Sequence, residues 1–126
     1  MPQIRVYYTS ADNKLQEMAY DAGKGWYKGD LDHSNFVVAP YSRVAASFLA
    51  VGSSLVLRVY AQLPDNTIQE FGYDSKSLRT ARVDRGLTVE FSDGTTGWKK
   101  MTNLGAALPG SELASTSYKT SQLSIR

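Results

Sequence analysis

The chain repeats itself, and that constrains its fold more than any other feature. The stretch IRVYYTSADNKLQEMAYDAGKGWYKG, residues 4–29, recurs from Leu57 as LRVYAQLPDNTIQEFGYD, and its last part returns as GWKK from Gly97. The alignment pairs Arg5 with Arg58, Tyr7 with Tyr60, Glu17 with Glu70, Tyr20 with Tyr73 and Asp21 with Asp74. Arginine and glutamate stand 12 residues apart in both copies. A third copy opens at the end of the chain, where LSIR (123–126) echoes the two earlier starts. Such a repeat means one structural unit stacked on copies of itself.

Each unit reads as antiparallel strands. Ile4 to Tyr8 and Leu57 to Tyr60 are β-branched and aromatic, and both runs lead to an Asp-Asn turn. Asp and Asn tolerate left-handed backbone and bond their own main chain there. A second strand follows, Leu15 to Tyr20 or Ile68 to Tyr73, with Leu15, Glu17 and Ala19 on one face. That is a hairpin, with Arg5 and Glu17 as direct or diagonal neighbours across it. Trp26 to Lys28 makes a short third strand ending at Gly29, and Asp30 to Asn35 a polar loop. Arg43 to Leu49 is expected to be a strand despite its alanines, and Glu112 to Tyr118 is its counterpart in the next repeat. The approaches to these two runs, Phe36 to Pro40 and Leu104 to Gly110, also match.

Four short strands per repeat describe a β-propeller blade. The expected fold is therefore all-β: about two four-stranded blades of a six-bladed propeller. The 126 residues form a single propeller segment, with repeat one at about 4–52 and repeat two at about 53–122. A segment at about 75–96, basic at Lys76, Arg79, Arg82 and Arg85, is inserted in repeat two, and a third repeat starts at 123–126. The insertion is either a small hairpin at the blade rim or a partner-binding loop. Two blades cannot close a ring, and their open apolar faces are association sites. Either three chains complete a six-bladed homotrimer, or the chain is a fragment of a longer one.

Composition removes several classes of function. There is no cysteine, which excludes disulfides, thiolate metal sites and a thiol nucleophile. The lone His33 lies in a polar stretch, LDHSN, and no cofactor or metal is expected. The net charge of +2 is scattered, so no nucleic-acid stripe is formed. The longest apolar-biased run, Val44 to Val51, is too short to span a bilayer, and MPQIRVYY carries no signal leader. A cytoplasmic, spore-associated or non-classically secreted location fits equally.

The recurring residues outside the core are Arg, Glu, Tyr and Trp. One reading is a sugar site repeated once per blade. Arg supplies fixed donors and Glu supplies acceptors for neighbouring hydroxyls, while an aromatic face covers the C–H face of a pyranose. The other reading is a cross-strand ion pair with aromatics filling the gap between blades, worth about 0–1 kcal/mol if exposed. Residues alone leave both open.

The combination of I/L-R-V-Y, D-N-x-I/L-Q-E, Y-D and G-W-Y/K-K resembles the fungal fucose-specific lectins, six-bladed propellers of mushrooms and moulds. These resemble in turn a bacterial lectin with two blades per chain that trimerises. APYSRVAASFLA and NLGAALPG are also similar to segments of the mould lectins. The resemblance implies a non-enzymatic, multivalent lectin that binds fucosylated glycans between adjacent blades without metal. It implies that Arg5 and Glu17 bond the fucose while Tyr73 and Trp98 of the following blade pack on it. Arg58 and Glu70 would then need aromatics from a further blade, and Tyr20 and Trp26 would serve a preceding one. Two features depart from the family: the inserted segment beside Trp98, and Tyr where relatives often carry Trp in the Y-D position. A protein-binding propeller scaffold and, less so, a propeller glycoside hydrolase are the alternatives. The hydrolase needs two carboxylates about 5–10 Å apart across one sugar, and Glu17 and Glu70 belong to different blades.

Overall fold

The structure, a computed structural model, describes residues 3–51, 54–74 and 97–116. The inserted segment 75–96 and the third start at 123–126 lie outside them. Strands β1 (Gln3–Thr9), β2 (Leu15–Asp21) and β3 (Gly25–Lys28) form one antiparallel sheet in sequential order. Strands β4 (Val44–Val51), β5 (Ser54–Gln62), β6 (Thr67–Asp74) and β7 (Trp98–Ala106) form a second, also sequential. This second sheet is the four-stranded, up-and-down blade that the repeat predicts.

The two hairpins are copies in register as well as in sequence. Asn13 and Asn66 occupy the same turn position with φ of 66° and 70°, the left-handed region that asparagine tolerates better than most residues. Their amides donate back to Ser10 and Leu63 at 2.9 and 2.8 Å. Equal turns impose equal pairing, so Tyr7 lies opposite Glu17 and Tyr60 opposite Glu70. Arg5 lies opposite Ala19 and Arg58 opposite Gly72, which makes each arginine and glutamate diagonal neighbours.

Alternation along the strands separates two faces. In the second sheet Leu57, Val59, Ala61 and Phe71 are buried on the face turned to the first. The first sheet meets them with Leu15 and with the connecting residues Leu31 and Val38. Phe36 and Phe71 rings touch across the joint at 4.7 Å between centroids. The core therefore sits between the sheets. Ile4, Val6 and Tyr8 align with Leu57, Val59 and Ala61, yet are 44%, 44% and 37% exposed. The same apolar face is covered in one repeat and bare in the other.

Arg43 to Leu49 forms a strand from Val44 onward, as its pattern suggests, because β5 pairs with every residue from Val44 to Val51. The described part of its expected counterpart, Glu112 to Tyr118, does not. Residues 111–116 carry no strand and the rest of that run lies outside the described residues. Strand propensity needs a neighbour to pack and bond against, and no partner strand flanks 111–116 among the described residues. Among the described residues the first sheet likewise has no counterpart of β4, and β1 is its outermost strand there.

Candidate functional site

The joint between the sheets brings four of the sequence-selected residues to one cavity of about 130 Å³. Arg5 and Glu17 line it from the first sheet, Tyr73 and Trp98 from the second, with Gly29 and Asp30 beside them. Pockets for drug-sized ligands hold roughly 300–1,000 Å³, so this one is scaled to a single small ring. A larger cleft of about 280 Å³ runs along Ile4, Tyr7, Phe48 and Leu57. It is mostly apolar, lacks Glu17, and lies between β1 and the strands β4 and β5.

Arg5 and Glu17 in the smaller cavity are each held from behind. Arg5 Nη1 donates to Asp21 Oδ1 at 3.0 Å and to the backbone oxygens of Ile4 and Tyr20. Its Nε stands 3.9 Å from Glu17 Oε2. The firm partner of the arginine is thus the aspartate; the glutamate is a looser neighbour. Asp21 also accepts from the Tyr27 hydroxyl at 2.5 Å. That bond and Arg5 hold the half-buried Asp21 carboxyl below its ordinary range, with desolvation working the other way. Asp74 repeats the anchor on Arg58 at 2.8 Å. Asp21 and Asp74, which look like turn residues in sequence, are strand-end residues that aim the arginines. The signal was their invariant step after the Tyr of each copy.

Glu17 is 3% exposed. Tyr7 OH donates to its Oε2 at 2.9 Å and the Leu31 N–H to its Oε1 at 3.3 Å. Burial lifts the Glu17 carboxyl above its ordinary pKa; the bonds from Tyr7 and Leu31 and the charge of Arg5 pull the other way. Burial, then the Glu17 charge, raises the Tyr7 hydroxyl as well.

The chain after β3 makes this possible. Gly29 N–H donates to the Glu17 carbonyl at 2.9 Å, and a 3-10 turn over Asp30–His33 follows. Asp32 Oδ1 accepts the Glu17 N–H at 2.7 Å, replacing the next rung of the ladder. A Cβ at Gly29 would overlap the Glu17 carboxylate, so glycine is required there by contact rather than by φ. This loop reads only as polar in sequence. The clue to its role is that Gly29 aligns with Met101 in the second copy.

Trp98 lies 5.7 Å from Tyr73 and 5.8 Å, edge-on, from Tyr7. Tyr20 and Trp26 repeat the Tyr73–Trp98 pair at 5.4 Å, but on the outer face of the first sheet, where Trp26 is 53% exposed. Arg58 and Glu70 face outward from the second sheet, with Tyr60 OH on Glu70 Oε2 at 2.7 Å and Arg58 Nε at 4.0 Å. These two half-sites lie on opposite sides of the joint and do not meet. No cluster of three or more His, Cys, Asp or Glu suited to a metal occurs among the described residues.

The family model described as "Fungal fucose-specific lectin" matches residues 1–89 and 80–126. A fucose-specific lectin of Aspergillus fumigatus is 46% identical over 119 residues, covering 94% of this chain and 31% of that protein. One from Aspergillus oryzae is 44% identical, with 94% and 32% covered. Among solved structures, SapL1 lectin in complex with alpha methyl fucoside superposes with a TM-score of 0.69 at 43% identity, over 95% of this chain and 33% of that one. A mutant Aleuria aurantia lectin in complex with alpha-methyl-L-fucoside gives 0.64 at 25% identity, with 94% and 32% covered. The chain thus has the β-propeller blade fold of these lectins and spans about a third of the length of the relatives it matches.

Proposed function

Because the chain belongs to the fungal fucose-specific lectin family, we propose that the cavity between its two sheets binds L-fucose, as the terminal sugar of fucosylated glycans, without chemical conversion. One observation carries this reading: Arg5 and Glu17 of one sheet face Tyr73 and Trp98 of the next across a monosaccharide-sized cavity. Arg5 donates and Glu17, each of whose oxygens takes one protein bond and keeps a further lone pair, accepts, so both are pre-positioned and little ordering cost remains on binding. The aromatic wall supplies apolar area for the sugar's methyl and C–H face. Calorimetry with methyl α-L-fucoside tests this. Saturable binding lost in Glu17→Gln supports it; no binding by the folded chain refutes it, and turnover of an aryl fucoside would favour a hydrolase.

The bare faces point to assembly. Ile4, Val6, Tyr8, Tyr20 and Trp26 form in repeat one the face that repeat two buries, while Arg58 and Glu70 present the opposite half-site. A head-to-tail partner satisfies both at once, and such contacts close into rings when the rotation permits. The partner is either a second copy, three of which make six blades, or further blades of a longer chain. In both cases Arg58 and Glu70 gain an aromatic wall like Tyr20 and Trp26, and the protein becomes multivalent. Light scattering distinguishes a mass three times 13.9 kDa from a monomer.

A further inference from the structure

The two copies differ just after the Trp: the first leaves its strand at Lys28 for the Gly29 turn, whereas the second continues β7 to Ala106. Tyr27, Gly29 and Asp30 align with Lys99, Met101 and Thr102. In the first copy this places a carboxylate, Asp30, on the wall of the fucose cavity, beside Glu17 and Tyr73. Asp30 is exposed and forms no ion pair among the described residues. Arg5, the cation that lines the cavity, is already paired with Asp21 at 3.0 Å and approached by Glu17 at 3.9 Å. The Asp30 charge is therefore surplus. Its reach is visible on the opposite wall: after burial, it is the strongest influence raising the Tyr73 hydroxyl. The second copy has a hydroxyl at this position and an ammonium at Lys99, so the aligned half-site is less negative.

We propose that Asp30 is a specificity residue of the Arg5–Glu17 cavity, accepting hydrogen bonds from hydroxyls of the bound glycan and turning away glycans that carry a sulfate or carboxylate near the fucose. The inference rests on the fucose reading. It needs no particular position for the anionic group, because the field of an exposed charge extends about 30 Å at 0.01 M salt and about 10 Å at 0.1 M. Two like charges a few ångströms apart in water repel by about 1 kcal/mol, equivalent to about a fivefold loss of affinity. The Arg58–Glu70 half-site is expected to show no such penalty.

The test uses the whole chain carrying Arg58→Ala, so that the first cavity dominates binding. Calorimetry compares a neutral fucosylated trisaccharide with its sulfated form at about 10 and 150 mM salt. The expected preference for the neutral glycan is about 3- to 10-fold at low salt, shrinking as salt is added and in Asp30→Asn. Asp30→Ser, which also removes the charge, should behave like Asp30→Asn, and melting curves confirm that both remain folded. A ratio unchanged by either substitution, or insensitive to salt, overturns the proposal. Failure of every fucoside to bind the folded chain would instead overturn the fucose reading beneath it.

Discussion

Replacing Gly29 by alanine separates the work of the loop from that of the strands. Gly29 has φ −85° and ψ 174°, a conformation open to any residue, so the backbone accepts alanine. A less flexible unfolded chain would even gain about 0.4–1 kcal/mol. The obstacle is the Glu17 side chain, whose Cγ would lie 2.6 Å from the new methyl and whose carboxylate would be closer still. Glu17 must swing away and give up the bonds from Tyr7 OH and Leu31 N–H. Hydrogen bonds to a charged group contribute about 1.5–3 kcal/mol each; recovered hydration and the alanine gain offset much of this. A net destabilisation of about 1–2 kcal/mol follows, a fall in Tm of roughly 3–10 °C. The sugar loses its acceptor, and one charge-assisted bond is enough for at least about tenfold in affinity. Gly72→Ala is the control: its methyl meets the flexible Met101 thioether and Arg58, away from the first cavity. Calorimetry with methyl α-L-fucoside and a melting curve read both quantities. If Gly29→Ala binds within twofold of the parent at unchanged Tm, the carboxylate is not held as described and the reasoning fails.

Acidification should weaken fucose binding from a higher pH than an ordinary glutamate would dictate, because burial raises the Glu17 carboxyl; Glu17→Gln should abolish that step in a calorimetric pH series. The same shift makes the folded chain bind the proton more tightly than the unfolded one, so the Glu17 contribution to stability declines as pH rises through the folded pKa, and denaturant titrations of Glu17→Gln should show a flatter profile. Asp21→Ala frees Arg5 from its anchor and should cost about 3- to 10-fold in fucoside affinity with the chain still folded; equal affinity would show that Arg5 needs no anchor. Gln62 is fully buried and its amide bonds the backbone of Asn66, Ala107, Leu108 and Gly110. Gln62→Leu strands those groups, and urea unfolding should report a loss of about 3 kcal/mol.

Much of the site was legible because it is written twice. The Arg–Glu spacing and the aligned aromatics fix which residues share a blade, and the alternation of Leu15, Glu17 and Ala19 fixes the face that carries them. Direct versus diagonal pairing of Arg5 and Glu17 was not legible, since it turns on one left-handed residue, Asn13. Asp21 read as a turn residue because it closes a strand; only the fold shows that its side chain reaches back to Arg5. Asp30 and Asp32 had no pattern to betray them. A carboxylate in a polar loop looks the same in sequence whether it faces solvent, caps a strand or lines a cavity. Glu112 to Tyr118 matches Arg43 to Leu49 in sequence, but over 111–116 no neighbour strand lies beside it among the described residues, and a neighbour strand is what makes the latter one.

The shared core has a consequence for how such chains arise. Leu15, Leu31 and Val38 come from one copy, and Val59, Ala61, Leu63 and Phe71 from the other. The unit of inheritance and the unit of cooperative folding are therefore offset by half a step. A lone ancestral copy would have had no interior until it met its own duplicate, as a separate molecule or fused in tandem. Recombination that cuts between copies preserves every strand and still removes a core.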